Sequence, residues 1–471
     1  MPSVRTLSGE DRELDREVVE RLRAALRGDV IEPTTPDYDE ARRIYNGMID
    51  RHPAMIARCR DVADVIAAVR MAHDHDLLVS IRGGGHNGPG LSVAEGALVV
   101  DVSEMHEVDV DPDARTVRVG AGARWRDVDH ATHPFGLATV SGIVGTTGVA
   151  GLTLGGGHGH LTRKYGLTID NLLEADVVLA DGRFEKASAT THPDLFWALR
   201  GGGGNFGVVT SFVFRLHPVH TVVGGPTLWS LDDAGAALRR YREAIGEAPE
   251  DLNAFFMVMQ VPPAPPFPEA LHGRKVAGVV WCHLGSEEEA RTAMRPFLEA
   301  AKPLWSMVGS MPYPMLQSAF DPLYPPGLQW YWKGDFVHEI PDPAVEAHLR
   351  FASQIPTMLS GMHLYPIDGA THRVGRDETA FAHRDARWSQ VIVAVDQPSA
   401  DMREPIRWAR DYWSALHPYA ASGAYVNFLM EEGDDRVRAS YGENYARLAH
   451  VKAEYDPDNR FRVNQNITPE A

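Results

Sequence analysis

Apolar and polar positions alternate along the first half of the chain in a way that predicts short strands separated by helices. Residues 11–28 read as a charged helix and 55–59, "MIARC", as a short strand. From 62 to 75, Val62, Val65, Ile66, Val69 and Ala72 recur at three- and four-residue intervals, an amphipathic stripe, and "LLVSI" follows as a strand. "LVVDV" (98–102) and "RTVRVGAGA" (115–123) continue as strands, and a helical pattern surrounds Trp125 to His130. "SGIVGTTGVAGLTLGGGHGHLTRKYGLTIDN" (141–171) sustains no period and predicts loops that bring bare backbone close to something. In "HPDLFWALRGGGGNFGVVTSFVFRL" (192–216) four glycines separate a helix from a strand.

The pattern changes near residue 220. "LNAFFMVMQV" and "KVAGVVWCHLG" are strand-like, and the second runs into "SEEEARTAMRPFLEA", where Ser286 and Glu289 have capping-box spacing. Strands and helices alternate to about 415, interrupted by a Pro-rich loop at 261–270, and predict a separate α+β domain on an antiparallel sheet. The last fifty residues return to a loop-rich style ending in "YDPDNRFRVNQNI" (455–467).

At 471 residues and 44% hydrophobic, the chain has ample material for two intertwined domains. A net charge of −18 opposes nonspecific attraction to nucleic acid or an anionic membrane surface. Cys59 and Cys282 sit in apolar contexts and suggest neither a disulfide framework nor a thiolate metal site. The first residues lack the apolar core of a signal peptide, and no run of about eighteen apolar residues exists to span a bilayer. A cytoplasmic enzyme is the expectation.

The chemistry lies in the glycines and the histidines beside them. Glycines 201–204 follow a helix and precede a strand, the reverse of the dinucleotide fingerprint, so they do not make a Rossmann site. Amides without side chains can still approach a pyrophosphate and donate to its oxygens. A histidine after glycines, taken alone, is as well read as an imidazole closing a turn. Four motifs occur together here: "RGGGHN" (82–87), "VGTTGVAGLTLGGGHG" (144–159), "WALRGGGGNFGVVT" (197–210) and the tail "YDPDNRFRVNQNI". In this order and at these separations they resemble the berberine-bridge-enzyme-like group of the vanillyl-alcohol-oxidase (PCMH-type) flavoprotein superfamily, over nearly the whole chain.

That resemblance implies an α+β fold in two parts. A PCMH-type FAD-binding domain would be built from 1–220, with its core at about 50–220, and completed by 416–471. A substrate domain at 221–415, an antiparallel sheet flanked by helices, would be inserted between them. It implies FAD bound by Arg82, Gly83, Gly84, Gly85, His86, Asn87 and Gly90, by Ser141, Gly145, Thr146, Thr147, Gly148, Gly151, Gly156 and Gly159, by Asn205, Gly207, Val208 and Val209, and by Asn427. His86 looks like the family histidine bonded covalently to the flavin 8α carbon, a role a neutral imidazole suits as a nucleophile. The second family tether, a cysteine, falls on Val144, so a single bond is expected. Thr147 stands where the family controls oxygen access, which favours an oxidase with molecular oxygen as acceptor.

In the family's "YxNY" motif the second tyrosine commonly serves as base, and here the motif is Tyr425, Val426, Asn427, Phe428. Two further family tyrosines are replaced by His158 and Gly88, which leaves His158 as a candidate base or substrate-orienting group, or as a structural imidazole packed over the flavin. Tyr425 and Gln390 complete the catalytic candidates. Gln390 is expected on a substrate-facing side of the strand at 388–396 together with Trp388 and Ile392, and is otherwise a solvent-facing strand residue. Trp330 and Trp332 share a face, as sheet core or as an apolar pocket wall, and Met257, Met259, Met307, Met311 and Met315 suit either role. His158 and His160 lack the further ligands that a metal would need. The leading expectation is an FAD-dependent oxidoreductase that takes a hydride from a small apolar or aromatic alcohol, amine or phenol. A flavin-dependent oxygenase of secondary metabolism and a flavin-binding protein without turnover are the alternatives.

Overall fold

The structure, a computed structural model, describes residues 3–470. Two small sheets and one large one carry the fold. In the first small sheet, Met55–Arg58, Leu98–Asp101 and Val79–Arg82 pair in parallel, with Asp29–Ile31 antiparallel at one edge. The helix Val62–Asp74 makes the crossover between its strands, and Asp61 caps that helix by accepting from the amides of Ala63 and Asp64. The second small sheet is antiparallel, in the order Phe184–Ser188, Leu172–Val178, Val208–Arg215, Thr116–Gly120, Val108–Asp111. Both share one core, which the C-terminal residues Leu448, Phe461 and Ile467 also enter.

Residues 221–396 form the large antiparallel sheet, ordered Trp305–Ser306, Thr221–Ser230, Lys275–His283, Leu252–Gln260, Gly361–Pro366, Trp388–Asp396, Gln329–Val337, with Gly309–Pro312 also pairing Thr221–Ser230. Alternation divides its faces. Phe256, Val258, Leu364, Ile392 and Ala394 pack with residues of the helices Leu231–Glu247, Asp342–Ala352 and Arg403–Leu416. Phe255, Met257, Val391 and Val393 face the other way, towards the glycine-rich loops. The Ser286–Glu289 capping box forms as its spacing predicts. Two segments depart from the sequence reading. The expected helix at 11–28 begins only at Arg16, after a short strand Asp11–Glu13. The stretch 141–171 holds the short helices Val149–Leu154 and Thr162–Tyr165 between its loops, each too brief to leave a periodic signature.

Buried ion pairs join the large sheet and its helices to the glycine-rich half. Arg163 donates to Asp368 at 2.6 Å and to the carbonyls of Ile245, Ala248, Pro249 and Leu252, where the helix Leu231–Glu247 ends. A cation at a helix C-terminus also meets the negative end of the helix dipole. Arg384 grips Asp170 with two bonds, at 2.7 and 2.8 Å. A closer contact is between backbones. A Cβ on Gly84 would lie 2.5 Å from Gly148 Cα, and one on Gly148 would lie 2.6 Å from Gly84 N.

Arg163→Ala leaves a buried carboxylate and four carbonyls without their donor, so it should lower stability by about 3–5 kcal/mol. A urea midpoint unchanged from wild type would contradict this. Gly84→Ala and Gly148→Ala should each cost about 1–3 kcal/mol through backbone overpacking, measured in the same titration.

Candidate active site

The helix Trp125–Thr132 organises one wall of a chamber between the loops and the large sheet. Trp125 N donates to Thr147 O, Arg126 N to Gly145 O and Val149 N to Ala123 O, so the 145–149 loop hangs from the helix start. The strand Val79–Arg82 delivers the opposing loop, whose Asn87 side chain accepts from Leu91 N and closes a turn just past His86. His86 stacks on Tyr45 with ring centroids 3.8 Å apart, and the Tyr45 hydroxyl is held by Tyr324 O at 2.7 Å. Burial, and then the charge of Arg124, push the His86 imidazole down to about 3, so it is neutral and nucleophilic across the physiological range.

The C-terminal tail forms the far end. Lys452 and Asp456 are a fully buried pair at 2.7 Å. Lys452 also donates to Asn205 O, while Asp456 accepts from the amides of Arg460 and Phe461. Asn205 donates to Gln465 O and accepts from Ile467 N, which buttons the tail against the glycine loop 201–204. This arrangement brings Phe461, Val463, Asn464 and Gln465 to the chamber beside Gly203 and Gly204.

No Asp, Glu, Lys or Arg is among the residues lining the chamber, and nine of them are glycines. Of the residues expected to hold FAD, Gly83, Gly84, Gly85, His86, Asn87, Thr147, Gly148, Gly151, Gly207, Val209 and Asn427 line it. The others stand behind the surface and support it. Arg82 reaches Ala41 O, Gly90 packs on Ile44 and Ile49, and the Ser141 hydroxyl meets Tyr313. Gly145 N donates to Asp321, and a Cβ on Gly159 would lie 2.3 Å from the carbonyls of Ser141 and Gly142. Gly156 packs on Phe381 and Tyr425, Val208 is buried in the core, and Asn205 makes the tail contacts above. Thr146 leaves its buried hydroxyl without a partner, as does Ser92 on the lining. Bare amides, orphaned hydroxyls and an uncharged groove ending at a neutral histidine fit a flavin nucleotide.

The catalytic candidates separate. His158 lies in the chamber with neither ring nitrogen bonded to protein, and burial alone pushes it down to about 3. Its ring is 4.7 Å from that of Tyr425 and 5.1 Å from that of Tyr365, centre to centre. Tyr425 also lines the chamber, but its hydroxyl is saturated. It accepts from Gly157 N and Asn427 Nδ2 and donates towards Leu152 O, and burial pushes it up to about 12. It anchors the 151–157 turn and has no capacity left for proton transfer. Gln390 requires correction. It shares its face with Ile392, opposite Asp335 and Leu364, and that face packs on the helices, whereas Val391 and Val393 reach the chamber. The expected methionines do not line the chamber either, and Met307 and Met315 are exposed.

One alternative left open by the sequence is resolved, and two features escaped it. Trp330 and Trp332 do line the chamber, each with a buried indole N–H that has no partner. A Cβ on Gly88 would lie 2.2 Å from the Trp332 ring, so the inserted sheet fills the place from which a side chain at 88 would project. Tyrosines are also present after all: Tyr45, Tyr324 and Tyr365 line the chamber, the last two from the large-sheet half. No motif spacing marked them, because they reach the site only through the tertiary fold.

Comparison with known proteins agrees with this geometry. The family model for an FAD binding domain matches residues 53–188, and that for berberine and berberine-like proteins matches 424–468. An uncharacterized FAD-linked oxidoreductase of Bacillus subtilis, YgaK, is 31% identical over 453 residues, covering 94% of this chain and 97% of its own. (R)-6-hydroxynicotine oxidase of Paenarthrobacter nicotinovorans is 29% identical, covering 95% and 98%. The solved structure of 6-hydroxy-D-nicotine oxidase from Arthrobacter nicotinovorans superposes with a TM-score of 0.85 at 28% identity, over 97% of this chain and all of the other. The chain is a member of the berberine-bridge-enzyme-like, PCMH-type FAD-linked oxidoreductases.

Proposed function

We propose that this protein is an oxidase in which FAD, tethered through His86 alone, oxidises a small uncharged aromatic or heteroaromatic alcohol, amine or phenol. The observation that carries the reading is the chamber itself, free of formal charge, with the neutral His86 and, beside its loop, the unpartnered indole N–H groups of Trp330 and Trp332. At the indole end, away from the glycine amides that suit a pyrophosphate, a charged substrate would find no counter-ion, at a desolvation cost of several kcal/mol. A planar neutral one buries its faces against the indoles and accepts their N–H bonds. The relative named for (R)-6-hydroxynicotine oxidation supports a small heteroaromatic substrate. The flavin, when bound, supplies the two-electron acceptor for the substrate C–H bond.

The protein's residues do the rest. His86 is held by its stack on Tyr45 for attachment to the flavin ring edge. Val144 lines the chamber where a second tether would need a thiol, and both cysteines, Cys59 and Cys282, are buried elsewhere. His158 offers one donor and one acceptor to bound substrate, neither of them committed to protein. Thr147 on the lining leaves space for oxygen beside the ring.

Intact-protein mass spectrometry of the wild type should show one added FAD, and His86→Ala should release all of its flavin on acid precipitation. Yellow colour that stays with the denatured variant would contradict the tether. In anaerobic mixing, neutral aromatic alcohols, amines or phenols should bleach the flavin and subsequent aeration should yield peroxide. Bleaching by carboxylated or phosphorylated analogues alone would overturn the substrate class.

A further inference from the structure

Proton abstraction needs an acceptor, and the chamber offers few. Tyr425 is saturated, the Tyr45 hydroxyl is spent on Tyr324 O, and that of Tyr441 on Gln465 O. His86 belongs to the tether, and His158 stands alone with no second group to take a proton onward. Tyr365 differs. Its hydroxyl lies 2.6 Å from His363 Nδ1, and both residues project from the strand Gly361–Pro366 into the chamber, two positions apart on one face. Among the described lining residues it is the one phenol hydrogen-bonded to a titratable base.

We propose that Tyr365 and His363 form a proton relay that deprotonates the substrate. This rests on the reading of the chamber as the place where substrate meets flavin. In the relay the substrate O–H or N–H bond breaks and its proton passes to Tyr365 Oη, while the Tyr365 proton passes to His363 Nδ1. The lone pair left on the substrate oxygen or nitrogen forms the C=O or C=N bond as the carbon's hydrogen leaves with its electron pair to the flavin. Substrate is oxidised by two electrons, flavin is reduced by two, and the released proton rests on the imidazole. Tyr365 is then the catalytic residue, in contact with substrate. His363 is the positioning residue that keeps the phenol able to accept.

The surroundings keep the resting pair neutral. The groups facing the pair are His158 and Tyr324, with Phe255 and Phe428 as apolar packing, and no carboxylate, lysine or arginine is among the described lining residues. Burial raises Tyr365 well above the usual phenol range, so it does not ionise by itself. Burial lowers His363 to about 4, so its acceptor nitrogen is free above that pH and blocked below it. The sign is that of a base: reduction should be lost as pH falls through about 4 and level above it.

The test uses the flavin-loaded full chain in two independent arms. In the first, anaerobic flavin reduction by the best compound of the panel should slow about 10²-fold in Tyr365→Phe. In His363→Gln the acid limb near pH 4 should vanish and the rate should instead climb with pH, a change that loss of packing alone would not produce. Wild-type rates and profiles in both variants would overturn the relay while leaving the oxidase reading intact. The second arm needs no turnover. 4-Nitrophenol is titrated into each protein and its phenolate absorbance followed against pH, and the bound probe should ionise at least one pH unit lower in wild type than in Tyr365→Phe. Identical probe spectra in the two proteins would overturn the relay, even if no panel compound bleaches the flavin.

Discussion

Two stretches of backbone approach each other at Gly84 and Gly148 more closely than any side chain permits, and the site depends on that contact. It sets the loop carrying His86 against the loop carrying Thr147, each fixed by a different scaffold: a parallel strand for the first, the start of the helix Trp125–Thr132 for the second. Because both partners are main chain, the spacing does not relax by rotamer change. The proposed tether would need the His86 imidazole held in one place, and two rigid backbones pressed together fix its loop more firmly than packed side chains would.

Electrostatics divides along the same boundary. Among the buried ion pairs, Arg163 with Asp368, Arg384 with Asp170, and Lys452 with Asp456 are each hydrogen-bonded behind the chamber wall. They fasten the large sheet and the tail to the glycine loops and leave the chamber without a formal charge. Inside such a space hydrogen bonds are strengthened and an unpaired ion is penalised, so the donors and the Tyr365–His363 pair rest in their neutral forms.

Much of this was legible in the sequence, and the parts that were not have physical causes. Glycine and histidine motifs stood out because the contacts they make are local to short segments. The family of the chain and its α+β class followed from them. Gln390 misled because period-two alternation says which residues share a face but not which face meets the site, and Val391 and Val393 proved to be the ones that do. Tyr425 was recognised as a motif residue, yet its saturation by Gly157, Asn427 and Leu152 depends on a turn some 270 positions away in sequence. Tyr365 and His363 carried no signal, since two aromatic residues in a buried strand look the same whether they pack or react.

Gly88 and Trp332 together set the chamber wall beside the His86 loop. A side chain at 88 would have to occupy the volume now filled by the Trp332 ring, 2.2 Å from the ideal Cβ position, so the two positions compete for one space. With glycine at 88 the large sheet supplies the aromatic wall, and it supplies with it an indole N–H and the adjoining Trp330 ring, 5.9 Å away and nearly perpendicular. Tyr324 and Tyr365 line the chamber from the same large-sheet half. The groups proposed to recognise the substrate and to accept its proton therefore reside together on the large-sheet half. The contact of Gly84 with Gly148 is made entirely within the glycine-rich half, apart from those groups.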